Sequence, residues 1–155
     1  MPAPKIGELV EDFTLPDQDG TPVTLSQFRG KPVVLFFYPR ANTPGCTIEA
    51  CGFRDAFAKL KAAGVVVLGI SRDTVKAQKK FAEKYDLQYP LLADAEQTIV
   101  KRFDLVKPKT MYGKLVTGVA RTTLVIGADG KLVHVYENVK PEGHAEQVLA
   151  DLKKK

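Results

Sequence analysis

Two uninterrupted apolar runs, Val33-Val34-Leu35-Phe36-Phe37-Tyr38 and Val65-Val66-Val67-Leu68-Gly69-Ile70, are separated by one amphipathic segment. Runs this short, with no polar alternation, suit strands buried on both faces and fall well below a membrane span. A strand, a helix and a second strand form a βαβ unit with the two strands parallel. The intervening helix is expected from about Pro44 to Ala63, with Gly64 as its stop. The only two cysteines, Cys46 and Cys51, lie where the first strand hands over to that helix.

The rest of the chain fits around this unit. Phe13-Thr14-Leu15 and Val23-Thr24-Leu25 flank Asp19-Gly20, and Thr122–Ile126 and Leu132–Tyr136 flank Asp129-Gly130; both patterns signal hairpins. Asp73 is the expected N-cap of a helix running through Tyr85. Asp94 followed by Gln97 resembles a capping box opening a short helix to about Phe103. Residues 104–120, with Pro108, Gly113 and Gly118, read as loop. From Pro141 a terminal helix is expected, with Ala145, Val148, Leu149 and Leu152 on one stripe. The expected fold is α/β and thioredoxin-like: a central mixed sheet flanked by helices, with an N-terminal β-hairpin. One domain over residues 1–155 is expected, since this length supports one substantial core.

On a helical wheel at 100° per residue, Cys46 falls on the same face as Phe53, Ala56, Phe57 and Leu60. Cys51 lies about 140° away, beside Arg54, Asp55 and Ala58. Cys46 should therefore face an apolar pocket and Cys51 the polar side. A thiol in the first helical turn sits among unpaired N–H donors at the positive end of the helix dipole, which favours thiolate. Gly45 permits close backbone approach and Pro44 suits a first turn. Residues five apart on an ideal helix have Cα atoms about 8–9 Å apart, beyond the ~7 Å that a disulfide tolerates. Any bond between these cysteines requires local unwinding.

Other chemistries fit less well. The two thiols diverge, and His134 and His144 lie in a late strand and at a late helix start, so no metal site or cysteine–histidine pair is indicated. The sequence has no phosphate loop and no dinucleotide fingerprint. The net charge of +5 includes the Lys153-Lys154-Lys155 tail, and aromatics are not interleaved with basic residues, so neither nucleic acid nor membrane is an expected partner. The first residues, Met1-Pro2-Ala3-Pro4-Lys5, have no apolar core of a signal peptide, and a cytoplasmic location is expected. There a cysteine pair is more often redox-active or metal-binding than a structural staple.

Pro39-Arg40-Ala41-Asn42-Thr43-Pro44-Gly45-Cys46 has the Pro-x-x-x-Thr-x-x-Cys pattern of the peroxiredoxins. With Asp12–Leu15, Gly69–Asp73, Pro90–Asp94 and Gly118–Thr123, the chain resembles, nearly end to end, the peroxiredoxin Q or bacterioferritin-comigratory-protein branch. The resemblance implies a thiol peroxidase that reduces hydrogen peroxide and organic hydroperoxides as an antioxidant enzyme. It implies Cys46 as the peroxidatic cysteine that becomes a sulfenic acid, and Cys51 as the resolving cysteine that closes an intramolecular disulfide. Thr43 would position peroxide and sulfur, Pro39 would shield the thiolate, Arg121 would stabilise charge and polarise the peroxide, and Glu49 would orient Arg121. The reductant would be thioredoxin or a glutaredoxin-like protein, with no metal or organic cofactor, acting on a monomer, a dimer being the alternative. Two other readings stand beside it. A thiol–disulfide oxidoreductase of the same fold would carry Cys-x-x-Cys, and a copper-binding chaperone would carry Cys-x-x-x-Cys with a nearby histidine.

Overall fold

The structure, a computed structural model, describes residues 5–39, 44–111, 113–137, 139–140 and 142–153. The first apolar run forms β3 (Val33–Phe37), preceded by an N-terminal hairpin of β1 (Thr14–Pro16) and β2 (Pro22–Thr24). Helix α1 (Pro44–Ala62) leads to β4 (Val66–Ser71), α2 (Val75–Tyr85), β5 (Leu91–Ala93) and α3 (Thr98–Arg102). A ribbon of β6 (Val106–Met111) and β7 (Lys114–Val119) follows, then β8 (Thr122–Ile126), β9 (Leu132–Tyr136) and α4 (His144–Lys153).

Five strands form a mixed sheet in the order β5-β4-β3-β8-β9. β4 runs parallel to both β3 and β5, as a βαβ unit requires, while β8 runs antiparallel to β3 and to β9. Every residue of β3 is buried, which explains its unbroken apolar run. Side chains alternate across the sheet. Val34, Phe36 and Tyr38 pack with Phe53, Leu60, Phe81 and Val148 under α1, α2 and α4. Leu35 and Phe37 face the opposite side, with Phe13, Val23, Ile99 and Phe103. The N-terminal hairpin is joined to the sheet edge by Gln18, whose Nε2 donates to the Tyr89 carbonyl at 3.2 Å while its Oε1 accepts from Leu91 N at 2.8 Å.

The expected element order holds, with corrections at four places. The N-cap of α2 is Thr74, whose hydroxyl accepts from Ala77 N, and not Asp73. Asp73 is instead engaged by Ser71, whose hydroxyl donates to it at 2.6 Å. Asp94 serves α3 without forming a capping box: its carboxylate accepts from Ile99 N at 3.0 Å and Val100 N at 2.9 Å, and Gln97, in the left-handed region, is the N-cap. Residues 104–120 are mostly strand, because β6 and β7 pair antiparallel from Val106↔Val119 to Met111↔Lys114. Gly113, at φ +76°, makes the tight turn, and Pro108 is tolerated because both strands of a two-stranded ribbon are edges. Finally, Leu91-Leu92-Ala93 is a buried strand that its brevity hid. Pro141 lies outside the described residues, and the terminal helix begins at His144. Gly64, at φ +79°, follows the end of α1 as expected.

Asp94→Ala should lower stability by about 1–3 kcal/mol, since it leaves two buried amides without an acceptor. Urea denaturation checks this; an unchanged midpoint would show that water replaces the carboxylate.

Candidate active site

The site forms where the C-terminal end of β3 meets the N-terminus of α1. Cys46, Ala50, Phe53, Ala56 and Leu60 are buried at helical spacing, so α1 lies on the sheet with the Cys46 side inward. Cys46 is fully buried and Cys51 half-buried, as the wheel requires. Both are free thiols on one uninterrupted helix, so this is the dithiol form.

The register of β8 against β3 supplies the third element. Phe37 pairs with Thr122, which sets Arg121 beside the end of β3. Residues at odd positions of β8 face α1: Val125 packs in the cluster that contains Cys46, and Thr123 bonds His144 at 2.8 Å. Arg121 follows the same alternation. Its Nη2 donates to Cys46 Sγ at 3.4 Å and its Nη1 to Glu49 Oε1 at 3.0 Å. Glu49 lies one turn beyond Cys46, so one planar guanidinium spans both.

Glu49 has no exposed side-chain surface, whereas the Arg121 side chain is 17% exposed. Burial pushes the Glu49 carboxyl up to about 7, against the opposing pull of Arg121. Its Oε2 has no hydrogen-bond partner among the described residues. Among the described residues, the carboxylate is thus held by a single charged donor. Losing that donor would leave an isolated charge in an apolar setting.

Of the residues expected from the sequence, Cys46, Glu49 and Arg121 meet. Gly45 occupies the same first turn, and Cys51 sits farther along the helix. Pro39 follows Tyr38 at the end of β3 and is half-buried. Thr43 lies outside the described residues. His144 is buried, with its ring edge-on to Phe53 and Tyr136; it bonds Thr123 and Gln147 rather than Cys46. Burial holds its imidazole below the usual value.

Gln78 is a neighbour that the sequence analysis does not single out. The buried Tyr38 hydroxyl donates to Gln78 Oε1 at 2.5 Å, and Gln78 Nε2 donates to Ser71 Oγ at 2.9 Å and the Leu92 carbonyl at 2.8 Å. This network fastens the last residue before Pro39. Its sequence signal was a glutamine on the apolar stripe of α2, at helical spacing from Phe81, Ala82 and Tyr85. Among the described residues, no group of three histidine, cysteine or acidic side chains could hold a metal ion.

Glu49 generates a pH-dependent expectation. In the unfolded chain it titrates near 4.5, in the folded protein near 7. Between these values the folded state binds more protons, so this group's contribution to stability is present below 4.5 and lost as pH rises through about 7. Glu49→Gln removes that dependence. Its stability relative to wild type should rise from pH 5 to pH 8, measured by urea unfolding at both; a difference independent of pH would contradict the buried titration.

The chain is similar to proteins already known. The AhpC/TSA family model matches residues 6–135. Peroxiredoxin Bcp of Escherichia coli is 44% identical over 149 residues, covering 96% of each chain. The bacterioferritin comigratory protein of Xanthomonas campestris, a protein with alkyl peroxide reduction activity, superposes with TM-score 0.86 at 38% identity over 92% of this chain and 90% of that one. A peroxiredoxin Q of Xylella fastidiosa, solved as a cysteine-to-serine mutant, superposes with TM-score 0.93 at 36% identity over 97% and 96%. The chain belongs to the AhpC/TSA family, among its peroxiredoxins of the Bcp and peroxiredoxin Q type, which are thiol peroxidases.

Proposed function

We propose that Cys46 is the peroxidatic cysteine of this enzyme and Cys51 its resolving cysteine. The observation that carries the reading is Arg121 bonding both Cys46 and Glu49 at the start of α1. The Cys46 thiolate attacks one oxygen of hydrogen peroxide or an organic hydroperoxide. An S–O bond forms as the O–O bond breaks; sulfur loses two electrons and becomes sulfenic acid. The other oxygen leaves with the electron pair and takes a proton to become water or an alcohol.

Charge thus moves from sulfur to the leaving oxygen, and the Arg121 fork is the donor that follows it. The N–H groups of the first α1 turn add fixed dipoles of the same sense. Glu49 holds the guanidinium in plane. In this reading Thr43 and Pro39 complete the pocket, the first by orienting peroxide, the second by excluding water, with Gly45 allowing close approach of the backbone.

Cys51 thiolate then attacks the Cys46 sulfenic sulfur; the S–S bond forms, the S–O bond breaks, and the departing hydroxide takes a proton to become water. Because both residues lie on one continuous helix, the first turns of α1 must unwind before the sulfurs meet. A dithiol reductant, thioredoxin or a glutaredoxin-like protein, restores both thiols by exchange. We take the protein as one domain over residues 1–155, a monomer acting in the cytoplasm. No described helix is long and apolar enough to cross a membrane.

Cys46→Ser should abolish peroxide turnover in a coupled assay with thioredoxin and its reductase, because serine does not ionise at neutral pH; retained turnover would reverse the assignment of the cysteines. Cys51→Ser should give one turnover, stall, and progress to sulfinic acid at lower peroxide than wild type, as read by intact mass. Arg121→Ala should lower stability, because it leaves the buried Glu49 carboxyl without its donor, yet still fold, and should slow the peroxide step by about 2–4 kcal/mol, the loss of one preorganised donor. A stopped-flow rate equal to wild type would remove Arg121 from the mechanism.

A further inference from the structure

Helix α1 is tied to its surroundings in two different directions. Its first turns are tied to the sheet, through the bonds of Cys46 and Glu49 to Arg121. From Ala50 onward it is tied to the segment between α2 and β5. Tyr89, just before β5, is buried with its ring edge against Phe36 at 5.8 Å and tilted on Phe57 at 6.0 Å. Its hydroxyl donates to the Ala50 carbonyl at 2.6 Å. In an α-helix that carbonyl also accepts the amide four residues on, here Arg54. Arg54 reaches out of α1 with Nη1 donating to the Tyr85 carbonyl, the last of α2, at 2.8 Å. Cys51 lies between these two attachments.

Forming the disulfide disrupts only one set of ties. Moving Cys46 breaks the Arg121 contacts, and unwinding residues 44–49 frees the amides of 48–53, whose acceptors those residues carry. The next acceptor is the Ala50 carbonyl, where Tyr89 is bonded. We infer that Tyr89 is a positioning residue for disulfide formation: it pins Ala50 so that unwinding stops there, and Cys51 stays in place while Cys46 travels to it. A fixed Cys51 also shortens the search, because only one end of the closing loop is mobile. The inference rests on the reading of Cys46 and Cys51 as disulfide partners.

The test is backbone amide exchange on the dithiol and disulfide forms of wild type and Tyr89→Phe, which keeps the ring and removes the donor. In the wild-type disulfide form, amides of 48–53 should lose protection while Arg54 and those after it retain it. In Tyr89→Phe, protection at Arg54 and the next amides should fall by about 2- to 10-fold more in the disulfide form than in the dithiol form, the worth of one hydrogen bond. The slower phase after one equivalent of peroxide, disulfide closure, should be slower in the variant by a similar factor. Equal loss in both forms would mark Tyr89 as merely structural, and a closure phase unchanged or faster would also overturn the inference. So would wild-type protection lost beyond Arg54, a result that needs no variant. Peptide mass mapping separates the two levels: wild type without a Cys46–Cys51 bond after peroxide defeats the cysteine reading and this inference together, whereas a bond formed with Tyr89→Phe matching wild type defeats only the role of Tyr89.

Discussion

The site depends on a single guanidinium that bonds two groups. Arg121 meets the buried Glu49 with one nitrogen and the Cys46 sulfur with another, and neither contact survives displacement of β8, which begins at the next residue. A lysine could not span both, since its ammonium is a point charge without a planar fork. The β3–β8 register aims Arg121, the helical repeat stacks Glu49 over Cys46, and apolar packing from Ala50 to Leu60 holds α1 down on the sheet. Behind Arg121, His144 joins three elements, bonding Thr123 of β8 from the start of α4 and resting its ring edge on Phe53 of α1.

On the proposed assignment the same helix serves two opposed demands. Its first turns would have to be firm enough to present Cys46 to peroxide and yielding enough to release it to Cys51. The structure divides these demands along the helix. The first turns are held by the buried Glu49 carboxyl, whose one donor among the described residues is Arg121, an arrangement stable only while complete. Beyond them Phe53, Ala56 and Leu60 are packed in the core, and Arg54 is bonded to the α2 terminus.

Much of this was legible in the sequence, for physical reasons. β3 and β4 are buried on both faces and so read as continuous apolar runs, and α1 shows its buried face by periodicity. What escaped was whatever rests on pairing or on a local competition between acceptors. The β6–β7 ribbon is stabilised by its partner strand, so Pro108 and the glycines dominated its local signal. Asp73 and Thr74 are both good caps, and Ser71 occupied the first. Asp94 was recognised as a helix opener, but its acceptor role reaches five and six residues ahead rather than three. Within the site, Cys46, Glu49 and Arg121 carried recognisable motif positions. Tyr89 and Gln78 did not, because an aromatic or an amide in an apolar stretch reveals its hydrogen bond only when the partner is folded against it.

The position of β8 has a consequence for how this protein comes into being. Cys46 and the arginine beside it are 75 residues apart in the chain, and the strand that joins them pairs with β3 only after most of the molecule has been made. The βαβ unit can close early from local contacts, whereas the β3–β8 pairing is a long-range closure that comes late. During synthesis, therefore, the cysteine emerges long before its cation. A nascent or truncated chain ending before Arg121 carries the thiol without the arginine, so on the proposed assignment its reactivity arrives with the completed fold.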